Sequence, residues 1–186
     1  MHGRDGEVTG EMALDAEGRF LAVRIVGVGN VGAYLAQVAP IPPALNIAKN
    51  LVGQYRTPLI EVAIRTVFTN TTPIGPYRGA GRPEGNYYME RLVDLAAAKT
   101  GIDRVELRKR NHIRPDEMPW SAPSGMVYDS GEFAAQMDKA LALADWNGFA
   151  ARKAESRTRG KLRGRGIGAF LEVTAPITKE LGSIHF

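Results

Sequence analysis

A stretch rich in proline and glycine, residues 69–83, constrains the fold of this sequence more than any other feature. Its three prolines and three glycines are Pro73, Pro76, Pro83, Gly75, Gly79 and Gly81. Proline has no backbone N–H to donate, and glycine weakens both helices and strands. The stretch therefore predicts a long irregular loop. Ordered loops of this kind between regular elements often carry the function of a protein.

Strand-like sequence precedes this loop. Over residues 8–28, apolar and polar residues alternate on both sides of a turn-forming segment at residues 15–18, which predicts a β-hairpin. Residues 60–68 are largely β-branched or aromatic, which predicts a further strand. A proline-rich segment at residues 40–43 breaks any regular element that lies between them.

The segment after the loop has the pattern of a long helix. Pro83 suits the entrance of this helix, Glu84 suits its first turn and Gly101 suits its end. Helical spacing gives it one apolar face, which consists of Tyr88, Leu92, Leu95 and Ala96.

Shorter helices are predicted further along the chain. Asp103, with Glu106 three residues later, caps a second helix that ends near His112. Ser130 caps a third helix, and Asn147 can start a fourth. The apolar face of the third helix consists of Phe133, Met137, Leu141 and Ala144.

Strand-like sequence returns at residues 162–173, where glycines separate apolar residues. The order of strands, then helices, then a strand predicts an α+β fold, with a mixed sheet and three to four helices. The sequence begins in strand-like material and stops where another strand starts. We therefore interpret residues 1–186 as a single segment of a larger domain.

Composition excludes several classes of site. The chain has no cysteine, so it contains no disulfide, no iron–sulfur ligand and no cysteine nucleophile. No apolar run reaches the roughly 20 residues of a transmembrane helix, and the first residues lack the apolar core of a signal peptide. His2, His112 and His185 have no metal-ligand spacing. At a predicted helix end, His112 suggests a favourable contact with the helix dipole.

Gly27, Gly29 and Gly32 match the G-x-G-x-x-G pattern of dinucleotide-binding turns. The proline-rich segment would cut the following helix short, and no acidic residue follows about 20 positions later. Glycines in a bent or bulged strand explain the pattern more simply. A dinucleotide-binding module stays open as an alternative function.

A basic run between residues 152 and 165 accounts for the net charge of +4. It comprises Arg152, Lys153, Arg157, Arg159, Lys161, Arg163 and Arg165, opposed only by Glu155. Such a run can bind nucleic acid or phosphate, but no aromatic residue interleaves it. A solvated helix end and connector is the favoured interpretation, with a basic interaction domain as the alternative.

The loop around Arg78 has the chemistry of an anion site. Its glycines allow a bulky ligand to approach the backbone, and the arginine offers forked donors to phosphate or to a carbonyl-rich ring. The helix that follows Pro83 brings free N–H groups and a positive dipole end. These features suit an anionic, heterocyclic cofactor. A glycine-rich turn with an arginine in a structural salt bridge is the competing interpretation.

The sequence of residues 67–84 resembles the xanthine dehydrogenase, aldehyde oxidase and carbon monoxide dehydrogenase family of molybdenum hydroxylases. Residues 85–91 and 106–111 continue the resemblance, and residues 128–131 and 164–168 also look like family segments. The form of the loop is most similar to the group labelled carbon-monoxide-dehydrogenase-like. The resemblance implies that this chain is a fragment of the molybdopterin-binding region of a large subunit.

The resemblance also implies a cofactor and partners. In the full-length protein the cofactor would be molybdopterin, of the cytosine dinucleotide type, beside Tyr77, Arg78, Gly79, Ala80 and Gly81. FAD and 2Fe–2S clusters would lie on a medium and a small subunit, because this chain has no cysteine. The expected enzyme is cytoplasmic, acts on a small molecule with water as co-substrate, and binds no nucleic acid.

Two loop positions bear on the substrate that the resemblance implies. Gly79 matches a cysteine that binds copper in carbon monoxide dehydrogenases, so oxidation of carbon monoxide itself is disfavoured. Ala80 matches an aromatic residue that packs on the substrate in xanthine oxidases, which argues against a purine held in the same way. Aldehydes and small N-heterocycles are further candidates.

No catalytic residue and no metal ligand is expected within this segment. The family's catalytic base is a glutamate of a Gly-x-Gly-Glu-type segment, which we expect beyond Phe186. The isolated fragment is therefore expected neither to turn over substrate nor to hold the cofactor tightly.

Overall fold

The computed structural model describes residues 4–172, except for residues 37, 38 and 40. Its longer strands are β1 (Gly6–Leu14), β2 (Phe20–Gly32) and β3 (Leu59–Phe68), and its short strands are β4 (Trp120–Ser121) and β5 (Val127–Tyr128). The helices are α1 (Ile47–Asn50), α2 (Arg82–Thr100), α3 (Arg104–Asn111), α4 (Phe133–Leu143) and α5 (Phe149–Thr158). A π-helical turn, Ile41–Asn46, leads into α1, and a 3-10 turn, Pro115–Glu117, follows α3.

The predicted α+β class is confirmed, and its main sheet is mixed. β2 is the central strand: it pairs antiparallel with β1 and parallel with β3. The hairpin turn is held by Asp15, whose carboxylate accepts hydrogen bonds from the backbone N–H groups of Glu17 (3.0 Å) and Arg19 (2.7 Å). Beside the four predicted helices, the described residues contain α1, a single turn that the proline-rich segment concealed.

The glycine pattern lies inside β2 and not at a strand-to-helix turn. A Cβ atom on Gly27 would lie 2.1 Å from the carbonyl oxygen of Glu7 on the neighbouring strand. Gly32 has a φ of +81° and stands where the register with β3 shifts. The interpretation as glycines in a bulged strand is confirmed, because these residues serve the pairing of the sheet.

Helix α2 packs the helical layer onto the sheet and has the predicted ends. It begins directly after Gly81 with Pro83 in its first turn, and the left-handed Gly101 caps it, donating to the carbonyl of Ala97 at 3.0 Å. Of the predicted apolar face, Ala96 is buried and Tyr88 and Leu92 pack against the core, whereas Leu95 is 42% exposed. The buried face consists of Gly85, Asn86, Met89, Val93, Ala96 and Ala97. Small residues on this face let α2 approach α1 closely.

Three further predictions are corrected in detail. Asp103 caps α3 as predicted, accepting from Val105 and Glu106, but the Glu106 carboxylate pairs with Arg110 (3.1 Å). Helix α4 begins at Phe133 and not beside Ser130, whose hydroxyl contacts Asp129 instead. Helix α5 starts near the predicted Asn147, after Gly148.

The strand predicted over residues 162–173 is wrong for the part that the structure describes. Residues 161–172 are extended but join no sheet. The side chains of Asn50 and Gln54 donate hydrogen bonds to the carbonyls of Leu171 and Phe170, where a sheet would supply a neighbouring strand. Val173 lies outside the described residues.

A buried ionic network joins α2 to α3. Arg108 is fully buried and donates to the Glu90 carboxylate from Nε (2.9 Å) and Nη2 (2.8 Å), and it lies 3.0 Å from Asp94. The hydroxyl of Tyr55 donates to the same Glu90 carboxylate. Burial, reinforced by Glu90, raises the pKa of Tyr55, so the hydroxyl remains protonated. A guanidinium buried in this way requires its carboxylates.

Replacing Arg108 tests how much the fold depends on this network. We expect Arg108→Met to lower the free energy of unfolding by about 3–5 kcal/mol, because it leaves a buried carboxylate unpaired. The matched control is Arg24→Met, since Arg24 pairs with Glu11 and Glu61 on the exposed sheet surface. This control should cost no more than about 1 kcal/mol. Urea denaturation of the chain gives both values, and equal losses would contradict the expectation.

The predicted dipole contact of His112 is wrong, because the ring is buried. It stacks on Tyr55, with ring centroids 5.5 Å apart, and meets the ring of Phe133 edge-on. Neither ring nitrogen has a hydrogen-bond partner among the described residues. Burial of the ring, followed by the nearby cations of Arg108 and Lys109, lowers the pKa of His112 to about 4. His112 is therefore neutral in the fold.

The buried neutral histidine predicts a pH dependence of stability. In the unfolded chain a histidine has a pKa of about 6.5, so between pH 6.5 and 4 the unfolded state binds the proton that the folded state excludes. From His112 we therefore expect the free energy of unfolding to fall by about 1.4 kcal/mol for each unit by which the pH is lowered in this range. His112→Phe keeps a stacked ring and should remove this part of the slope. The measurement is the urea midpoint of both chains between pH 7 and 4. If the midpoints of wild type and His112→Phe fall equally with pH, His112 is not the source of the dependence.

Candidate functional site

The loop that joins β3 to α2 is anchored at its start by one asparagine. Asn30 is buried, and its amide donates to Asp5 Oδ2 (2.7 Å) and Thr71 Oγ1 (2.9 Å). Its oxygen accepts from the hydroxyl of Thr69 (2.8 Å) and the backbone N–H of Gly32 (2.7 Å). The side chain thus fixes the loop to the end of the hairpin. Asn30 was missed in the sequence because it lies within the glycine pattern.

The centre of the loop is a tight left-handed turn. Gly79, Ala80 and Gly81 have φ values of +87°, +45° and +94°. The backbone N–H of Ala80 donates to the carbonyl of Tyr77 (2.8 Å), and that of Arg82 donates to the carbonyl of Gly79 (3.0 Å). Left-handed backbone is costly for residues with a side chain, so two of the three positions are glycine.

Close contacts on both sides also require these glycines. A Cβ atom at Gly79 would lie 2.5 Å from Pro83 Cγ, and one at Gly81 would lie 1.9 Å from the carbonyl oxygen of Pro42. Between them, the carbonyl of Ala80 accepts a hydrogen bond from Asn46 Nδ2 (2.8 Å). The turn is therefore clamped between the start of α2 and the π-helical turn.

Arg4 holds the exposed side of the loop. Its Nη2 donates to the carbonyl of Arg78 (2.9 Å), and its guanidinium lies over the ring of Tyr77, 5.3 Å from the centroid. Its Nε pairs with the Glu84 carboxylate at 2.7 Å. Arg4 thereby neutralises the first acidic residue of α2 and fixes the backbone beside Arg78.

Arg78 is the cation that this arrangement leaves available. Its side chain is exposed and has no acidic partner among the described residues, whereas the neighbouring Arg82 pairs with Glu172 at 2.9 Å. Among the described residues no side chain caps the N-terminus of α2 at Gly81. The predicted free N–H groups are mostly lacking in its first turn, because the N–H of Arg82 donates to the Gly79 carbonyl and Pro83 has no N–H. The positive end of the dipole of this 19-residue helix lies beside the unpaired guanidinium. This donor set fits an anionic group that carries phosphate.

The predicted site residues Tyr77, Arg78, Gly79, Ala80 and Gly81 thus lie in one turn, which is exposed at Tyr77 and Arg78 and buried at Gly81. The glycines shape it, and Arg78 supplies its charge. Beside it, between the hairpin and the first turn of α2, lies a cavity of about 380 Å³. Its walls include Val28, Ile64 and Tyr88, and Arg4 and Glu84 line it too. This volume is in the range of small-molecule sites, about 300–1,000 Å³.

Other kinds of site find no support in the described part of the chain. No group of three or more His, Asp or Glu side chains there is placed to hold a metal ion. None of the helices described is long and apolar enough to cross a membrane. His2 and His185 lie outside the described residues.

The basic run is largely engaged within the fold. Arg152 pairs with Asp145, and Arg163 Nε donates to Ser156 Oγ at 2.9 Å. The guanidinium of Arg165 lies 4.0 Å from the centroid of the Trp146 ring. These contacts support the interpretation as a helix end and connector. The aromatic contact was missed in the sequence because Trp146 precedes the run.

The fold and the loop together define an α+β domain with a clamped left-handed turn at the start of its long helix. Residues 1–112 match the family described as the molybdopterin cofactor-binding domain, and the chain belongs to that family. The predicted resemblance to molybdenum hydroxylases is thereby confirmed.

Named relatives support the same assignment. Over 180 residues the chain is 34% identical to the gamma subunit of the 6-hydroxypseudooxynicotine dehydrogenase complex of Paenarthrobacter nicotinovorans, covering 94% of this chain and 22% of that subunit. It is 32% identical over 175 residues to the carbon monoxide dehydrogenase large chain of Hydrogenophaga pseudoflava, covering 91% of this chain and 22% of that one.

Solved structures agree with the sequence relatives. Quinoline 2-oxidoreductase from Pseudomonas putida 86 superimposes with a TM-score of 0.78 at 29% identity, covering 86% of this chain and 20% of that one. Carbon monoxide dehydrogenase from Oligotropha carboxidovorans gives a TM-score of 0.73 at 31% identity, covering 85% and 20%. The chain therefore spans about a fifth of the length of the proteins that it matches.

The clamped turn predicts a sharp difference between two glycine positions. Gly81→Ala should destabilise the chain by about 1–3 kcal/mol, because alanine is strained at this φ and meets the Pro42 carbonyl. The control is Gly164→Ala, since a Cβ atom there has no neighbour within 4 Å. It should leave the urea midpoint nearly unchanged. Equal effects of the two substitutions would show that the turn is not held as described.

Proposed function

We propose that this chain is a segment of the large subunit of a molybdopterin-dependent oxidoreductase, and that the left-handed turn contacts the cofactor. One observation carries the proposal. In a domain of the molybdopterin-binding family, the turn places the unpaired Arg78 beside the uncapped N-terminus of α2. The proposed contact residues are Tyr77, Arg78, Gly79, Ala80 and Gly81.

Each part of the turn has a defined task in this proposal. The guanidinium of Arg78 supplies forked donors to a phosphate oxygen of the cofactor, and the dipole of α2 adds a positive potential. Gly79 and Gly81 give the turn its shape, because Pro83 and the Pro42 carbonyl fill the space that a side chain would take at these positions. When bound, the cofactor supplies the molybdenum at which substrate is oxidised. The cytosine dinucleotide form, with its additional phosphate, suits this cationic end of the helix.

The proposed substrate is a small N-heterocycle or aldehyde, hydroxylated or oxidised with water as co-substrate. Quinoline 2-oxidoreductase and the 6-hydroxypseudooxynicotine dehydrogenase complex carry names that favour the N-heterocyclic class. At position 79, the left-handed φ and the contact with Pro83 require glycine, so the turn offers no thiol to copper. Carbon monoxide is therefore the less favoured substrate, in spite of the similarity to carbon monoxide dehydrogenases.

The remaining catalytic parts are assigned outside these residues. We place the base glutamate beyond Phe186 and the FAD and 2Fe–2S clusters on medium and small partner subunits, in a cytoplasmic complex. A chain without cysteine requires that the clusters lie elsewhere. Neither rival from the sequence is proposed, because the glycine pattern lies in a strand and four residues of the basic run, Arg152, Arg159, Arg163 and Arg165, are engaged within the fold.

Arg78→Ala in the complete large subunit tests the proposal. Loss of charge-assisted hydrogen bonds, worth about 1.5–3 kcal/mol, should weaken retention of the cofactor about tenfold or more. The control is Arg91→Ala, since Arg91 is exposed further along the same helix. Molybdenum per protein is measured by mass spectrometry, together with the cytidine nucleotide released by acid.

Equal molybdenum contents in the Arg78 and Arg91 variants would contradict the proposal, because they would remove Arg78 from the site. Stoichiometric molybdenum in the isolated 186-residue chain would contradict a different expectation, that this segment does not hold the cofactor tightly by itself.

A further inference from the structure

A segment that forms no helix or strand among the described residues, which we call the strap (residues 167–172), lies across the helical layer. Three buried carboxamide side chains form hydrogen bonds with its backbone. Asn50 Nδ2 donates to the carbonyl of Leu171 (3.1 Å), and Gln54 Nε2 donates to that of Phe170 (3.2 Å). Asn86 both donates to the Leu171 carbonyl and accepts from the Leu171 N–H, each at 3.4 Å. Side chains thus replace the partner strand that an extended backbone normally needs.

The two ends of the strap contact the buried ionic network and the start of α2. At its start, Arg108 Nη2 of the buried ionic network lies 3.4 Å from the carbonyl of Ile167. At its end, the carboxylate of Glu172 lies 2.9 Å from Arg82 Nε. Arg82 follows Gly81 directly, and its side chain is only 16% exposed. The strap therefore connects the core network to the border of the left-handed turn.

Arg82 takes part both in the left-handed turn and in the contact with the strap. Its backbone N–H closes the turn by donating to the Gly79 carbonyl (3.0 Å), while its side chain pairs with Glu172. A displacement of Glu172 must therefore act on a residue whose backbone sets the shape of the turn. The same ion pair keeps Arg82 from competing with Arg78 for an anionic ligand.

We propose that the Arg82–Glu172 pair is a positioning device, through which the strap holds the left-handed turn in the shape that its ligand requires. This inference deepens the proposed function, because it rests on the turn as the contact to the cofactor. Arg82 and Glu172 position the turn and do not themselves touch the cofactor. No residue of the strap could have been assigned this task from the sequence, where the segment reads as a strand.

Hydrogen exchange measures the coupling in the complete large subunit prepared without cofactor. In Glu172→Gln we expect amide exchange of residues 77–82 to accelerate about two- to fivefold, along with that of the strap. The control is Glu155→Gln, which removes an exposed ion pair with Arg159 and should leave both segments unchanged. The urea midpoint should move little in either variant, which separates a local effect from a loss of stability.

Exchanging the two charges tests whether the coupling can be restored. Arg82→Glu combined with Glu172→Arg restores an ion pair and should return exchange of the turn toward the wild-type rate. Arg82→Lys should keep part of the coupling, and it serves if the double variant fails to fold. Acceleration of the strap alone, with the turn unchanged in Glu172→Gln, would overturn the inference. Because no cofactor takes part, that result would leave the proposed function standing, and equal molybdenum retention by the Arg78 variant would leave the coupling standing.

Discussion

The contact between the backbone of Gly81 and the carbonyl of Pro42 is the constraint on which the site depends. A side chain at position 81 would overlap that carbonyl, so only glycine can stand where the chain turns left-handed into α2. Through this contact the crossover between β2 and β3 packs directly against the start of α2. The backbone of the turn is thus held by packed protein on both sides, with Arg78 exposed beside it.

Elements with local signals were predictable, and those set by tertiary contacts were not. Pro83 and Gly101 marked the ends of α2, and the turn at Asp15 marked the hairpin, because such residues act on the nearest backbone. On α2 the helical spacing predicted Tyr88, Leu92 and Ala96 on the packed side but missed Met89 and Val93, since only packing against the sheet decides how wide the buried face is. Burial of His112 leaves no local trace in the sequence at all.

The sequence predicted the loop that forms the candidate site, but not the side chains that hold this loop in place. Glycine and arginine spacing indicated the turn at residues 77–81, and resemblance indicated its ligand. The partners that hold it come from distant parts of the chain: Arg4, Asn30, Asn46 and Glu172. A single sequence contains no information on which distant polar side chains will meet. For the same reason the extended segment after α5 was predicted as a strand, although carboxamides and not a strand satisfy its backbone.

The central position of β2 has a consequence for how the protein is made. β1 and β2 are adjacent in sequence, so their hairpin can form as soon as it leaves the ribosome. The parallel partner β3 arrives only after the crossover has been synthesised and closed, which is a slower, non-local event. During that interval β2 presents an unpaired edge to other chains. Slow translation between Gly32 and Leu59 would prolong the period in which the nascent protein is prone to aggregate.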